Sequence, residues 1–315
     1  MTGAVLFFAV AVAAIFASPV PLRNARQAEL SVSASDLGCT ENENKLGVHT
    51  SQLEEVCDSY LLANLRRNCS AYAADFGHSG VYRIRPGGVN ELTVFCDMCM
   101  RETGEGWIVI QRRVDDSVAF EDKSWQDYKD GFGDYFGNYW MGLDKIHEIT
   151  QSGTYDLYIS FRNKPHVNIS LTYIEYAVYT NFNVDSEDED YKMTFYELDN
   201  DRSSSRIKTN AYSFSNTAGA GLGRHKNLKF STYDRDNDGI STTDCAGDPG
   251  GTLYGGWWFG DDHDSPQCYH VNLNGKFPQN IYVSGGNDNA IKWEGIVNDD
   301  YSLNNTIMAI RRTSN

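Results

Sequence analysis

FSTYDRDNDGISTTDCAGDPGGTLYGGWWFGDDHDSPQCYHVNLNG, residues 230–275, carries the densest chemistry of the chain. Acidic residues alternate at Asp234, Asp236 and Asp238, and Gly239 turns the backbone. A cysteine, a tryptophan pair, a second cysteine and an Asn-Gly turn follow. Carboxylates spaced this way can converge on one point, which is what a hard cation with six to eight oxygen ligands requires. At an effective dielectric of ~20, two carboxylates ~5 Å apart repel by ~3 kcal/mol, so three on one turn push it open unless something neutralises them. The reading is a calcium loop; the alternative is a solvated acidic turn whose side chains point apart. An EF-hand is excluded, because that loop needs a bidentate Glu at its twelfth position and counting from Asp234 reaches Cys245.

At 315 residues the chain is long enough for one large domain or two ordinary ones with a full core. Its 43 acidic and 27 basic residues leave a net charge of −16, which argues against nucleic-acid phosphate and anionic membrane as partners. Val5 to Phe16 form an apolar run too short for a bilayer, and small residues follow at Ala17 and Ser18. Residues 1–18 therefore read as a signal peptide, though without the usual basic start. Seven cysteines fit an oxidising compartment, and the Cys96–Cys99 pair lacks the partner pair of a zinc site. Glycosylation sequons at Asn68, Asn168 and Asn304 point the same way, so a secreted, extracellular protein is expected.

Residues 19–50 are polar and read as a linker or propeptide. Ser51 with Glu54 resembles a capping box, and Leu53, Val56, Cys57, Tyr60, Leu61 and Leu65 share one helical face. A short helix over 51–68 is expected, packed on its own domain or paired with its copy in another chain. From Cys69 on the pattern changes to strands: SGVYRIRP, ELTVFCDM and GWIVIQRRV, then TYDLYISF, YIEYAVYTNFNV and YKMTFYEL. The acidic run Asp185–Asp190 reads as a solvated hairpin tip. Glycine-interrupted helical patterns between these runs make the layout α+β around an antiparallel sheet.

SGVYRIRP, FCDM, GWIVIQRRVDDSVAF, WQDYKDGFGDYFGNYWMGLDKIHEIT, FSTYDRDND, GGWW, NLNGKF and YSLNNTIMAIRR follow one another in a telling order. From about Cys69 to Arg312 the chain resembles the fibrinogen C-terminal (fibrinogen-related) domain of ficolins, tachylectins, angiopoietins and the fibrinogen chains. The resemblance implies a globular domain over 69–315, with a central antiparallel sheet, short helices and a loop-rich subdomain for calcium and ligand. Relatives usually carry an oligomerising segment ahead of it, so a homo-oligomer is expected.

The resemblance further implies disulfides joining Cys69 to Cys96 and Cys245 to Cys268, each closing a loop worth ~3 kcal/mol. Cys39, Cys57 and Cys99 remain: either one bridges to another subunit, or two pair internally, such as Cys57 with Cys99, leaving one thiol free. For Ca2+ it implies Asp236 and Asp238 as carboxylate ligands and the carbonyls of Ile240 and Thr242, with Asp234 behind them. One more residue separates Asp238 from Cys245 than in many relatives, which leaves the second carbonyl open.

In ficolin-like relatives the pocket lies beside this loop, where a cis peptide before the second cysteine exposes N–H groups to an acetyl oxygen and aromatic rings receive the methyl. Carried over, Gln267 precedes that bond and Cys268 follows it. The next position holds Tyr269 in place of histidine, with His270 one place later. One expected ring falls on Leu253 with Tyr254 adjacent, and another falls on Asp299. Asp288 matches an aspartate of the fibrinogen γ chain's peptide-knob pocket. These departures, with the acidic insertion GDDHDSPQ, imply a more acidic pocket, suited to an amine-bearing or cationic ligand. Trp257, Trp258 and Trp293 read as core, and His225 and His270 are undecided.

The chain has no GxSxG, no second histidine for His147 and Glu148, no phosphate loop and no dinucleotide fingerprint, so binding is expected and not catalysis. The expected role is a secreted calcium-binding lectin that recognises carbohydrate or acetylated groups on microbial or cell surfaces in innate immunity. The alternative is a receptor ligand or matrix protein of angiopoietin-like type that binds a protein partner.

Overall fold

Trp107–Arg113 is buried at all seven positions, which marks a strand covered on both faces. Its central place is seen in a computed structural model that describes residues 66–75, 77–88, 90–100, 105–163, 173–204, 221–247, 251–260, 268, 271–278, 289–293, 302–303 and 305–313. The expected signal peptide, the linker and most of the 51–68 helix lie outside these residues. Among the described residues no helix is long and apolar enough to cross a membrane.

The first strands are β1 (Gly80–Ile84), β2 (Leu92–Asp97) and β3 (Trp107–Arg113). Short β4 (Phe132–Gly133) and β5 (Tyr139–Trp140) follow, then β6 (Tyr155–Asn163), β7 (Tyr173–Val184) and β8 (Met193–Thr194). A pair, β9 (Val271–Asn272) and β10 (Lys292–Trp293), precedes β11 (Asn305–Arg312). The main sheet runs β1-β2-β3-β11-β6-β7-β8, with β5 also on β3 and β4 on β5. Every pairing within it is antiparallel. The last strand therefore closes the middle of the sheet: Thr306 sits opposite Arg113 on one side and Phe161 on the other, and its hydroxyl donates to Gln111 Oε1 at 3.1 Å.

Among the described residues helices are few and short. Helix α1 (Cys69–Asp75) precedes the first expected strand run and was not foreseen; Asn68 Oδ1 accepts the Ala71 N–H at 3.0 Å and caps this alanine-rich turn. The helix expected over 51–68 does not reach its end: Arg66 bridges to Ile84 and its carbonyl accepts from Arg85 N–H, while Arg67 and Asn68 bend. Helix α2 (Trp125–Asp130) opens on a complete capping box between Ser124 and Asp127. Helix α3 (Leu143–Gln151) buries Leu143, Ile146, Ile149 and Thr150 against β7. His147 joins it to that strand through Nδ1 and the Val184 carbonyl at 2.9 Å.

Two expectations change. Of YKMTFYEL only Met193 and Thr194 pair in a strand. The acidic run is not simply a solvated tip: Glu187–Glu189 forms a 3₁₀ turn whose Glu187 and Asp190 are tied to basic groups elsewhere.

Beyond residue 221 the chain is mostly loops, held against the sheet by aromatic rings and by β3. Trp125, Tyr128, Trp140, Phe230 and Trp258 form a cluster of tilted and edge-on ring contacts 5.1–6.3 Å apart. Buried Arg113 donates to the carbonyls of Gly275 (2.8 Å) and Leu273 (3.3 Å) and lies 3.9 Å over the Phe120 ring. Burial pulls its guanidinium down to about 10. Gln111 donates to the Leu273 carbonyl at 2.9 Å, so the polar end of β3 fixes the NLNG segment.

Candidate functional site

The loop at 230–247 is built on reciprocal backbone bonds. Ser231 pairs with Trp257 (2.9 and 3.1 Å) and Thr232 with Arg235 (3.0 and 2.9 Å). The Asn237 side chain then closes on the Phe230 carbonyl at 2.8 Å. Gly239 has φ +78 with open space around it, so glycine is there for the backbone angle and not for room.

Asp238 is 6% exposed, and both its oxygens accept backbone N–H groups: Oδ1 from Ile240 at 2.7 Å and Oδ2 from Cys245 at 2.9 Å. Asp236 Oδ1 accepts the Asp238 N–H at 3.1 Å. Burial first, then the charge of Asp236, pushes the Asp238 carboxyl above the usual aspartate range, against the pull of the two N–H groups. One carboxylate oxygen each from Asp236, Asp238 and Asp244 lies within 4.8 Å of the others. Among the described residues no basic side chain makes an ion pair with any of the three; the nearby Arg235 is spent on Glu187 and Asp190. Asp238 keeps a free lone pair on each oxygen, and the donor set is all oxygen, which fits a hard divalent cation. Ile240 is half-buried and Thr242 exposed on the same loop.

Asp244 is the residue that sequence reasoning missed. It stands directly before Cys245, and only the folded loop brings it to the others. Asp234 corrects the reading in the other direction. Its Oδ1 accepts the Trp125 N–H (2.9 Å) and the Thr232 hydroxyl (2.7 Å), so it serves the first turn of α2.

The next residue clamps the same helix. The Arg235 guanidinium lies 3.9 Å over the Trp125 ring and reaches Asp190 at 2.6 Å and Glu187 at 3.2 Å. Glu187 also accepts from Lys129 and, at 2.8 Å, from Trp125 Nε1. The Lys129 bond first, then the Trp125 bond, hold the Glu187 carboxyl below its usual range.

Of the expected pocket residues, Cys268 and Tyr254 are described. Cys268 is half-buried and bonded to Cys245, their Cα atoms 5.3 Å apart. Tyr254 donates its N–H to the Ala246 carbonyl at 2.9 Å, and its own carbonyl accepts from Asn272 Nδ2 at 2.7 Å. Gln267, Tyr269, Asp288 and Asp299 lie outside the described residues, as do His270 and the peptide bond before Cys268. Trp257, Trp258 and Trp293 are buried core. His225 is decided: Nε2 accepts the Val271 N–H at 3.0 Å, so Nδ1 carries the proton and donates to the Trp258 carbonyl at 2.8 Å. It is a neutral, structural histidine.

The structure joins Cys69 to Cys96, Cα atoms 5.5 Å apart. Cys99 is an exposed free thiol, which removes the Cys57–Cys99 pairing. Cys39 and Cys57 lie outside the described residues, as do the sequons at Asn168 and Asn304. Asn68 is half-buried and caps α1.

Comparison with known proteins agrees with this geometry. The family model for the C-terminal globular domain of fibrinogen β and γ chains matches residues 65–313. Fibrinogen-like protein 1 of Rattus norvegicus is 35% identical over 264 residues, covering 78% of this chain and 71% of that protein. Other relatives are longer, and the aligned part spans 47% or 13% of their length. Among solved structures, the fibrinogen-like globe domain of human ANGPTL6 superposes with a TM-score of 0.61 at 28% identity, covering 79% of this chain and 96% of that one. Lamprey fibrin D-dimer complexed with the peptide Gly-His-Arg-Pro-amide superposes with a TM-score of 0.58 at 25% identity, covering 84% and 85%. By ordered motifs, sheet topology and family match, this chain belongs to the family of fibrinogen C-terminal globular domains.

Proposed function

We propose that the chain is a secreted recognition module that binds carbohydrate or acetylated groups on microbial or cell surfaces, in innate immunity, beside the Cys245–Cys268 disulfide. In this reading Asp236 and Asp238, with the carbonyls of Ile240 and Thr242, hold Ca2+. Tyr254, Gln267, Cys268, Tyr269, Asp288 and Asp299 surround the ligand. The observation that carries it is the 2.9 Å bond from Cys245 N–H to Asp238 Oδ2. One carboxylate thereby belongs both to the acidic loop and to the backbone that starts the disulfide-closed segment. Bound calcium would supply the positive charge that lets Asp236 and Asp238 stay ionised side by side, and the loop would in turn brace the pocket. Oligomers would multiply weak single-site affinity, and Cys99 offers one route to linking them. The role is binding and not catalysis.

The test is calcium-dependent binding to immobilised acetylated sugars and bacterial cells, with elution by free N-acetyl sugar or chelator. A chelator should also lower the melting temperature by roughly 5–10 °C, the size expected when a ligand near 100 times its Kd is withdrawn from a domain of this length. An unchanged melting curve would sink the calcium site. Failure of both eluents would favour a second reading, a receptor ligand or matrix protein with a protein partner. That reading draws on the likeness to the ANGPTL6 globe domain and to a fibrin structure that holds a peptide. A peptide array with Asp288→Ala as control separates the two.

A further inference from the structure

We infer that Asn68 carries an N-linked glycan attached before the Cys69–Cys96 disulfide closes, so that closure of this bond sets how fully the site is occupied. The inference rests on the secreted reading above, which brings the chain to the sugar donor. Folding splits the Asn68 amide between two uses. Oδ1 accepts the Ala71 N–H at 3.0 Å and caps α1. Nδ2, the atom that bears the sugar, donates to nothing among the described residues. It is not one of the buried polar atoms left without a partner there, so it reaches solvent from a half-buried residue. A glycan on Nδ2 leaves the amide oxygen in place, and the cap survives the modification. The Asn-Cys-Ser triplet at 68–70 says none of this by itself, since such triplets arise by chance.

The folded triplet is closed to the enzyme that attaches the sugar. The acceptor motif needs the Ser70 hydroxyl as well as the amide, and in the fold that hydroxyl donates to the Gly106 carbonyl at 3.1 Å. Between them Cys69 is fully buried, and Gly106 backs onto it so closely that a Cβ there would stand 2.3 Å from the Cys69 carbonyl oxygen. The sugar must therefore arrive on the open chain. Cys96 lies 27 residues downstream, and at ~5–20 residues per second it is made roughly 1–5 s later. Disulfides form over seconds to hours, so the triplet stays open for seconds at least, and the bond then shuts it. In that window a bond forms between Asn68 Nδ2 and C1 of the sugar. The C1–O bond of a lipid-diphosphate-linked oligosaccharide breaks, the lipid diphosphate leaves, and Nδ2 gives up one proton. The competing role is the cap alone, with a fortuitous triplet that bears no sugar whatever the state of the disulfide.

The experiment expresses the full chain in cultured eukaryotic cells and reads Asn68 by peptide mass spectrometry, after a glycosidase in heavy-oxygen water has turned each sugar-bearing Asn into labelled Asp. Three states are compared: the wild type, Cys96→Ser, and the wild type from cells treated with a membrane-permeant thiol reductant during synthesis. Chains inside the cells are collected along with the medium, and the reductant arm covers a folding failure of the variant. The expected result is partial occupancy in the wild type and an unmodified fraction that falls at least twofold in both other states, with no matching change at Asn168 or Asn304. The same unmodified fraction in all three states overturns the inference, whether the site is full or empty, and so does an equal change at all three sequons. Secreted protein that is bare at Asn68 throughout overturns this inference alone. A bare chain that stays in the cytosol overturns the secreted reading with it.

Discussion

The sheet and the loop-rich region after residue 221 are held by different forces. From β1 to β8 the backbone satisfies itself in ladders, and buried side chains such as Ile108, Ile159 and Met308 add apolar area on both faces. Among its described residues, the region 221–293 has one two-residue ladder, β9 with β10, and otherwise depends on individual anchors. These are the Asp238 and Asp244 carboxylates on N–H groups, Asn237 on the Phe230 carbonyl, His225 between Trp258 and Val271, and a disulfide. A ladder loses one bond in many when a side chain changes; a loop built on single anchors loses its shape. Solution conditions should therefore act first on the loops.

The largest effect expected is from the two disulfides. They close similar lengths, 27 and 23 residues, so chain entropy assigns each ~3 kcal/mol. The global loss should be alike for Cys69→Ser with Cys96→Ser and for Cys245→Ser with Cys268→Ser, roughly 6–12 °C in melting temperature for a domain of this length. The local loss should differ. Cys96 lies on β2 between β1 and β3, and its neighbours stay laddered without the bond. Among the described residues Cys245 lies in no ladder, and its N–H is held by Asp238. Hydrogen exchange should thus show lost protection at 231–247 in the second variant, with β6 and β11 unchanged. Equal loosening of β1–β2 and of 231–247 in their respective variants would break the contrast.

What could be read in advance follows the same division. Tyr173–Val184 matches the run YIEYAVYTNFNV because alternation and β-branched residues are local signals. Trp107–Arg113 was equally plain. Asn305–Arg312 lies within the family motif YSLNNTIMAIRR, but its place as a strand at the sheet's centre is not a local signal; its meaning lies in partners far away, such as Gln111. Asp236 and Asp238 were visible from spacing. Asp244 was not, since nothing local says that the chain turns back toward them. Asp234 has the right spacing and the wrong neighbour, the Trp125 N–H, a contact across 109 residues. His225 could not be assigned while its two hydrogen-bond partners were unknown.

A smaller effect probes the seam between the regions. Arg235→Ala removes the contact over Trp125 and the pairs with Glu187 and Asp190, which keep Lys129 and Lys229 as partners. The loss should be about 1 kcal/mol, mostly from the ring contact, since partly exposed ion pairs contribute little. A double-mutant cycle with Trp125→Phe should give a coupling of about 0.5–1 kcal/mol. Zero coupling would mean that the Arg235 stack is decorative.

The smallest effect is in pH, and its sign differs across that seam. Glu187 is held low by Lys129 and Trp125, so its contribution is complete above the unfolded carboxylate value, near pH 4, and is lost as pH falls through its lower folded value. Asp238 is pushed up by burial and by Asp236, so the folded state holds its proton more tightly than the unfolded state does. Its contribution is complete below about pH 4 and is lost as pH rises through the raised folded value. Carboxyl chemical shifts followed by NMR in chelator should therefore give Asp238 a midpoint above the ordinary aspartate range and Glu187 one below the ordinary glutamate range. Adding Ca2+ should pull the Asp238 midpoint down, because a bound cation favours the charged form, and should leave Glu187 where it was. A calcium response at Glu187 equal to that at Asp238 would mean that the clamp and the loop act as one body, and the seam drawn between them would be misplaced.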